Sequence, residues 1–335
     1  EDIPVDIPTP PPAPGFDQFE LHSGLNLGLT ELGLVKPTPV QKAALPRAMT
    51  ETSVALQSFT GSGKTAIFLL PILSRALDIV DDNRPEGNIV KFIIVSPSRE
   101  LCMQIVRTAE ILLGPDKKWM VQQLIGGANE MRQKRALKDK KPVVVIGTPG
   151  RLAAMIRGAL GVHHVEMVAL DEADRLYESG FRDDMKFILF HSGKKVGDGG
   201  PQYILTSASL TPSSLRKMSD EWDLPRMCEI YARAPNKKAT NEDRNRLGTS
   251  ISPTIDHCFV SVDPKHKVDI LRKTINALGA GKVMVFMNHA RRLKDTLFRL
   301  RSRGIDAVIL HSDMPKTARQ NAISSFQNGQ TRVLV

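Results

Sequence analysis

Short apolar runs alternate along this chain with longer stretches of helical periodicity. The runs are continuous and rich in Val, Ile and Leu, which predicts strands that are buried on both faces of a parallel sheet. Beyond residue 16 they occupy residues 54–56, 91–95, 143–146, 165–170 and 203–205. Because helix-length segments separate these runs, the pattern predicts an α/β domain over residues 16–230, with helices on both faces of the sheet.

A second alternation follows two changes of composition. Residues 1–15 alternate proline with acidic and small residues, which favours an extended arm, and residues 231–254 lose periodicity, which predicts a connector. Strands are then predicted at residues 255–262, 283–286, 307–310 and 331–335, with helices at residues 289–303 and 316–326. The alternation stops at residue 335, about halfway through a domain of the usual ~100–150 residues, so we expect residues 255–335 to be an incomplete second domain.

The charge balance favours a polyanionic partner. The chain has 46 Lys and Arg against 36 Asp and Glu, a formal charge of +10, with no long run of one sign. Such an excess predicts dispersed basic patches. On charge alone, a nucleic-acid-binding surface and a basic surface without such a partner are equal alternatives.

The cysteines indicate the kind of cellular compartment, and the hydropathy bears on whether the chain crosses a membrane. Cys102, Cys228 and Cys258 lie far apart without metal-ligand spacing, which indicates a reducing intracellular compartment, such as a mitochondrion, the nucleolus or the cytoplasm. No apolar run approaches the roughly 18 residues that cross a membrane, so no membrane partner is expected.

A glycine-rich loop follows the first predicted strand and precedes a helical pattern over residues 66–77. In this context the backbone N–H groups can surround phosphates, Lys64 can reach the β- and γ-phosphates, and the Thr65 hydroxyl can ligate Mg²⁺. The alternative is a Gly/Ser loop that only caps a helix, and Ser58 stands where the general pattern has Gly. The phosphate-binding candidates are Ser58, Thr60, Gly61, Ser62, Gly63, Lys64 and Thr65.

Acidic residues follow a later strand. Asp171, Glu172 and Asp174 come directly after the run at residues 165–170, at the strand end where open α/β sheets bind ligands. Asp171 can hold the metal through water, and Glu172 can orient or deprotonate an attacking water. A solvated turn has a similar composition, but the order of phosphate loop and acids along the chain indicates a P-loop NTPase.

Asp-Glu-Ala-Asp at residues 171–174 is the box that names the DEAD-box RNA helicases, and the chain resembles that family from Phe16 to its last residue. The resemblance implies two tandem RecA-like domains that ATP and RNA close together, and an ATP-dependent activity on RNA or RNA–protein complexes, including ribosome assembly. It also implies that Gln41 reads adenine and that Phe16 stacks on it. A carboxamide has the donor and acceptor spacing that adenine requires.

Further motifs resemble the family's RNA-contacting and coupling elements. Turns such as Thr148-Pro149-Gly150-Arg151 can direct a hydroxyl, N–H groups and an Arg toward an RNA backbone, without reading sequence. The resemblance implies RNA contacts at Pro97, Arg99, Gly126, Gly127, Thr148 and Arg151 in the first domain, and at Phe286, Asn288, His311 and Arg319 in the second. It implies that Ser207 and Ser209 couple Asp174 to domain closure.

The sequence also departs from the family pattern. Lys316 stands where the family usually has Gln, and the family's last motifs, including an arginine finger, would lie beyond Val335. The expectation is that this chain binds ATP better than it hydrolyses it, because an arginine finger contributes roughly 10³–10⁵ in turnover. Two alternatives are an RNA clamp that assembles a particle without turnover and an ATP-driven DNA translocase.

Overall fold

The computed structural model describes residues 15–50, 52–82, 90–158, 160–178, 180–194, 196, 200–232, 255–256 and 258–335. The chain divides into two compact units, Glu1–Ile255 and Asp256–Val335. Nearly all of the predicted arm and connector lies outside the described residues. No helix in the described ranges is long and apolar enough to span a membrane.

The first unit is built on a seven-stranded parallel sheet. Its strands are β1 (Val54–Gln57), β2 (Phe92–Val95), β3 (Val121–Leu124), β4 (Val144–Gly147), β5 (Met167–Asp171), β6 (Gln202–Ser207) and β7 (Cys228–Tyr231). They lie in the order β3-β4-β2-β5-β6-β1-β7, and every pairing is parallel. All seven carboxyl ends therefore lie along one edge of the sheet.

Helices cover both faces of this sheet. They are α1 (Asn26–Glu31), α2 (Pro39–Ala48), α3 (Lys64–Asp82), α4 (Arg99–Leu113), α5 (Glu130–Lys140), α6 (Pro149–Gly158), α7 (Ala173–Glu178), α8 (Arg182–His191) and α9 (Pro212–Trp222). Successive strand residues point to opposite faces. On β2, for example, Ile94 belongs to one apolar core and Ile93 to the other.

The five strands predicted for this unit are confirmed, and two further strands were missed. β3 and β7 are the edge strands of the sheet. Both are only partly buried and carry polar residues, such as Gln122 and Glu229, so neither has a continuous apolar run. Tyr231, which the sequence placed at the start of the connector, is the last residue of β7 and pairs with Gln57.

The second unit has a smaller sheet of three parallel strands in the order β8-β10-β9. Its elements are α10 (Lys267–Leu278), β8 (Val283–Met284), α11 (Leu293–Arg301), β9 (Ala307–Val308), α12 (Lys316–Gln327) and β10 (Val333–Leu334). Seven buried apolar residues form its core: Ile275, Leu293, Leu300, Ile305, Ala307, Val333 and Val335.

The strand predicted at residues 255–262 is wrong for the residues that the structure describes there. Residues 258–262 form no strand, and the Phe259 side chain is 98% exposed. A strand needs a neighbour to complete its hydrogen bonds, and the described strands of this unit pair only with one another. The apolar residues at 255–262 favour a strand, but their sequence does not determine whether a partner strand lies beside them.

Candidate functional site

The glycine-rich loop joins the carboxyl end of β1 to the first residue of α3. Gly61 and Gly63 have φ of +85° and +88°, a conformation that favours glycine. Gly63 also approaches the Gln41 side-chain amide so closely that an added Cβ would collide with it. The side-chain oxygens of Ser58 and Ser62 are buried without a hydrogen-bond partner among the described residues. The loop is a polar cradle at the amino end of a long helix.

Lys64 spans this loop from the first turn of α3. Its Nζ donates to the backbone oxygens of Ser58 at 2.8 Å and Phe59 at 3.0 Å. Burial lowers the pKa of the Lys64 ammonium, while the carboxylates of Asp171, Glu172 and Asp174 oppose that shift. The predicted phosphate-binding lysine and the predicted acidic residues thus belong to one electrostatic site.

Asp171 is the last residue of β5 and its carboxyl group is largely buried. Thr206 Oγ1 on the neighbouring strand β6 donates to Asp171 Oδ1 at 2.9 Å. Burial raises the pKa of Asp171, and this effect outweighs the opposing hydrogen bond from Thr206 and the attraction of Lys64. A buried carboxylate with a perturbed pKa at the end of a strand is a candidate functional group.

Glu172 and Asp174 follow on a sharp turn into α7. Glu172 has φ of +50°, a left-handed conformation that non-glycine residues adopt at a cost of roughly 1–3 kcal/mol. Its Oε2 and Asp174 Oδ1 have no hydrogen-bond partner among the described residues. Arg175 Nε lies 3.5 Å from Glu172 Oε2, which is an ion-pair contact rather than a hydrogen bond.

The end of β6 connects the two halves of this site. Ser58 N donates to Ser207 O at 3.0 Å, and Gln57 Nε2 donates to Ala208 O at 2.9 Å. Ser209 Oγ donates to Asp174 Oδ2. Because β6 lies between β1 and β5, the segment from Ser207 to Ser209 touches both the phosphate loop and the acidic residues. Sequence reasoning missed Gln57 and Thr206, whose only signal was a polar residue directly after an apolar run.

Gln41 lies beside the phosphate loop on α2. The Thr38 N–H donates to Gln41 Oε1 at 2.8 Å, and Gln41 Nε2 donates to Gly63 O at 3.1 Å. A carboxamide has two donors and two acceptor sites, so one of each remains for another partner. Phe16 is only 1% exposed and its ring packs edge-on against Phe19. A base can reach the Phe16 face only after its neighbours move.

The predicted RNA contacts of the first unit gather at a second place on the same sheet edge. Loops after β2, β3 and β4 border an open groove of about 650 Å³. It is lined by Pro97, Ser98, Arg99, Glu100, Gly126, Glu130, Thr148, Gly150, Arg151, Ala154 and Phe181. Five predicted residues are among them, whereas sequence reasoning missed Glu130 and Phe181.

Two arginines and two glutamates, Glu100 and Glu130, carry the charges of this groove. We call it the arginine groove after Arg99 and Arg151. Arg99 lies against Gly126 and Gly127, and a side chain at Gly127 would collide with the guanidinium. Arg151 Nη1 lies 3.4 Å from Glu130 Oε2, and Arg151 Nη2 donates to Ala128 O at 3.3 Å. The paired glycines therefore make room for one cation, while an acid and a carbonyl hold the other.

The predicted residues of the second unit are less closely grouped. Phe286 is 89% exposed and lines a depression of about 290 Å³ together with His311. Asn288 is exposed, and Arg319 Nη2 donates to Ser312 O at 2.8 Å. Asn288 and Arg319 do not line that depression.

Magnesium and a nucleotide fit the donors that are present. The Thr65 hydroxyl follows Lys64 at the start of α3, and the acidic residues provide oxygen ligands of the kind that Mg²⁺ prefers. Buried oxygens of Ser62, Glu172 and Asp174 lack hydrogen-bond partners among the described residues, as expected for groups that complete their contacts with a ligand. No preformed cluster of His, Cys, Asp and Glu occurs in the described ranges, so a metal here would depend on phosphate and water as further ligands.

A parallel sheet with a phosphate loop after β1 and acids after β5 defines a P-loop nucleotide-binding protein. A family model described as DEAD/DEAH box helicase matches residues 38–218, and one described as helicase conserved C-terminal domain matches residues 266–335. The first match covers more than half of the 335 residues. The chain belongs to the DEAD/DEAH box helicase family.

Two relatives agree with this assignment. The DEAD-box ATP-dependent RNA helicase 47, mitochondrial, of Arabidopsis thaliana is 38% identical over 96% of this chain and 64% of that protein. The DEAD-box ATP-dependent RNA helicase CshA of Geobacillus kaustophilus is 30% identical over 96% of this chain and 62% of that protein. The chain thus spans a little under two thirds of the length of these relatives.

Two solved structures share the fold. S. cerevisiae Dbp5 bound to RNA and ADP BeF3 has a TM-score of 0.75 at 23% identity, covering 96% of this chain and 75% of that one. A DEAD box protein from Methanococcus jannaschii has a TM-score of 0.57 at 26% identity, covering 96% and 79%. The predicted α/β fold with RecA-like parallel sheets is confirmed.

Proposed function

We propose that this chain forms the nucleotide- and RNA-binding core of an ATP-dependent RNA helicase. The observation that carries the proposal is the division of one sheet edge into two sites. The ends of β1, β5 and β6 carry the phosphate loop and the acidic residues, while the ends of β2, β3 and β4 carry the arginine groove. A nucleotide and a polyanion could therefore bind at the same edge of one sheet.

At the nucleotide site, the phosphate loop and Lys64 would hold the phosphates of ATP, and Thr65 and Asp171 would hold Mg²⁺, Asp171 mostly through water. The metal would neutralise charge on the phosphates. Glu172 would orient or deprotonate the attacking water, since its Oε2 lies at the end of β5 without a hydrogen-bond partner among the described residues. The unused donor and acceptor of Gln41 would select adenine, with Phe16 packing nearby.

The bridge from Ser207 to Ser209 would couple the nucleotide to RNA. It touches the phosphate loop through Ser58 and the acidic residues through Asp174. A change in the contacts of the phosphates would therefore shift the end of β6 and its neighbouring strands.

At the RNA site, Arg99 and Arg151 would bind phosphates, and Pro97, Gly126, Gly127 and Thr148 would shape the groove around the backbone. On the second unit, Phe286, Asn288, His311 and Arg319 would add contacts. Backbone contacts carry no sequence information, so this site would accept RNA of many sequences, including RNA within ribonucleoprotein particles such as assembling ribosomes. Two relatives are named as RNA helicases, which supports RNA over DNA.

A reducing compartment suits the cysteines. Cys102 is buried, Cys228 is half-buried, Cys258 is exposed, and all three are free thiols. Burial raises the pKa of the Cys102 thiol to about 12, so it stays protonated and unreactive. The Arabidopsis relative is named as mitochondrial. For this chain we infer a reducing intracellular compartment, which could be a mitochondrion, the nucleolus or the cytoplasm.

The test separates nucleotide binding from hydrolysis in the full protein that contains this chain. Lys64→Ala should weaken ATP binding, because the loop loses its ammonium. Glu172→Gln should retain ATP and RNA binding but reduce RNA-stimulated hydrolysis by 10²-fold or more, the usual range for a general base. Fluorescent-ATP titration and phosphate release would measure the two effects.

Two results would contradict the proposal. If both variants lost ATP affinity equally, the separate roles of Lys64 and Glu172 would be wrong. If the unaltered protein bound ATP and RNA without RNA-stimulated hydrolysis, the protein would be a clamp rather than a helicase.

A further inference from the structure

Helix α5 carries a concentrated positive charge outside the motifs discussed above. It holds five Lys and Arg among eleven residues: Arg132, Lys134, Arg135, Lys138 and Lys140. Gln133 and Leu137, one turn apart, are buried against the first unit. The opposite side is exposed and contains Arg132, Arg135 and Lys138. These three residues, at spacings of three, form the basic face of α5.

This helix begins at the wall of the arginine groove. Asn129 caps it by accepting from Arg132 N at 3.0 Å, and its first residue, Glu130, lines the groove. Glu130 contacts Arg151 of the groove at 3.4 Å and Lys134 of the helix at 2.9 Å. The Glu130 carboxylate therefore contacts one cation of the groove and one cation of α5, so the two positively charged regions are adjacent.

The three cations of the basic face have no acidic partner among the described residues, whereas Lys134 is paired with Glu130. They line an open depression of about 690 Å³ together with Asn129, Met131 and Lys134. Met131 is 73% exposed on the same side. Acids and bases that alternate at spacings of three and four are typical of an exposed face held by its own salt bridges. Asp139 is the only acid of α5 apart from Glu130, and although it lies four residues after Arg135 it forms no ion pair with the basic face among the described residues.

We propose that the basic face of α5 is an extension of the RNA site that binds backbone phosphates beyond the arginine groove. The distance from Arg132 to Lys138 is about 9 Å along the helix, at 1.5 Å per residue. A stacked strand rises about 3.4 Å along its axis per phosphate, so that length matches about three phosphates. This inference rests on the proposed function, since it extends the same RNA site.

The test compares oligouridines of two lengths and three forms of the full protein. The short oligouridine is the shortest that the unaltered protein retains, and the long one extends past the groove at both ends. The basic-face variant is Arg132→Gln with Arg135→Gln and Lys138→Gln, and glutamine preserves helix propensity. A matched control, Arg216→Gln with Lys217→Gln and Arg226→Gln, removes the same charge from exposed positions near α9.

For the long RNA, the basic-face variant loses three phosphate contacts. The slope of log affinity against log salt should therefore become less steep by about 2, at about 0.7 per contact. The same variant should bind the short RNA with the slope of the unaltered protein. ATP affinity should stay unchanged, which would show that the first unit is folded. The control variant should match the unaltered protein on both RNAs.

Other outcomes would overturn the inference. Equal slopes for the basic-face variant and the unaltered protein on long RNA would show that α5 contacts no phosphates. A similar loss in the control would show a general effect of net charge. An Arg151→Ala variant separates this failure from that of the proposed function. If unaltered protein binds RNA and Arg151→Ala weakens that binding, the RNA site stands even where α5 plays no part.

Discussion

At the scale of single residues, the nucleotide site is a place where the fold gives up stability. Burial raises the pKa of Asp171, so the ionised carboxylate is less favourable in the folded chain than in the unfolded chain. Glu172 adds a left-handed backbone conformation. Strain and perturbed ionisation at the same turn are typical of functional sites. The Thr206 hydroxyl limits the cost by donating a hydrogen bond to Asp171 Oδ1.

Replacement of this carboxylate should therefore stabilise the protein while removing its activity. A raised carboxyl pKa means that the folded state binds the proton more tightly, so the unfolding free energy falls as pH rises from the ordinary Asp pKa of 3.8 through the raised value. Asp171→Asn is neutral and similar in shape, so it should raise the unfolding free energy at pH 7 by roughly 1 kcal/mol. Its advantage should disappear as the pH is lowered toward 3.8.

Urea unfolding followed by tryptophan fluorescence would measure this, because both tryptophans, Trp119 and Trp222, lie in the first unit. Asp220→Asn, at an exposed position of α9, is the matched control and should change little. A variant at Asp171 that is less stable than the unaltered protein at pH 7 would show that Lys64 and Thr206 more than compensate for burial.

At the scale of elements, α2 holds the phosphate loop in place through its amino-terminal cap. Thr38 Oγ1 accepts from Gln41 N at 3.3 Å and donates to Ser62 O at 2.9 Å. The Gln41 side chain completes the capping box and donates to Gly63 O. The residues that begin the helix are thus the same residues that fix the loop.

Loss of this cap should affect both stability and nucleotide binding. Thr38→Ala should lower the unfolding free energy by about 1 kcal/mol, the usual cost of losing a side-chain cap. It should also weaken ATP binding several-fold, because the loop is no longer tied to α2. Thr38→Ser retains the hydroxyl and is the matched control for denaturation and ATP titration. Equal values for Thr38→Ala and Thr38→Ser would show that the cap does not position the loop.

The sequence predicted the elements that are buried on both sides and missed those at edges. A central strand such as β4 is a continuous apolar run, whereas β3 contains Gln122 and Gln123 because one of its edges has no partner strand. The phosphate loop and acidic residues were predictable because their spacing follows from one strand and one helix. The contacts of Thr206 with Asp171 and of Gln57 with Ala208 were not predictable, since they depend on which strands are neighbours in the sheet.

At the scale of the whole molecule, the two units differ in how much apolar surface they bury. The first has apolar cores on both faces of a seven-stranded sheet. Among its described residues, the second has three strands of two residues each and a core of seven buried apolar residues. The free energy of folding from apolar burial grows with the area removed from water, at roughly 25 cal/mol per Å². We therefore expect Asp256–Val335 to open at lower denaturant than Glu1–Ile255.

Matched core truncations in the two units test this difference. Leu300 and Leu73 are both fully buried, and leucine-to-alanine changes in cores cost about 2–5 kcal/mol. Leu300→Ala should abolish hydrogen-exchange protection throughout α10, α11 and α12. The amides of the seven-stranded sheet should remain protected. Leu73→Ala should reduce protection in the first unit without unfolding it, because the remaining cores exceed what one leucine contributes. Hydrogen exchange read by mass spectrometry resolves both units in the same sample. If Leu300→Ala lowered protection equally in both units, the chain would unfold as one cooperative body, and the small core of the second unit would not determine its stability.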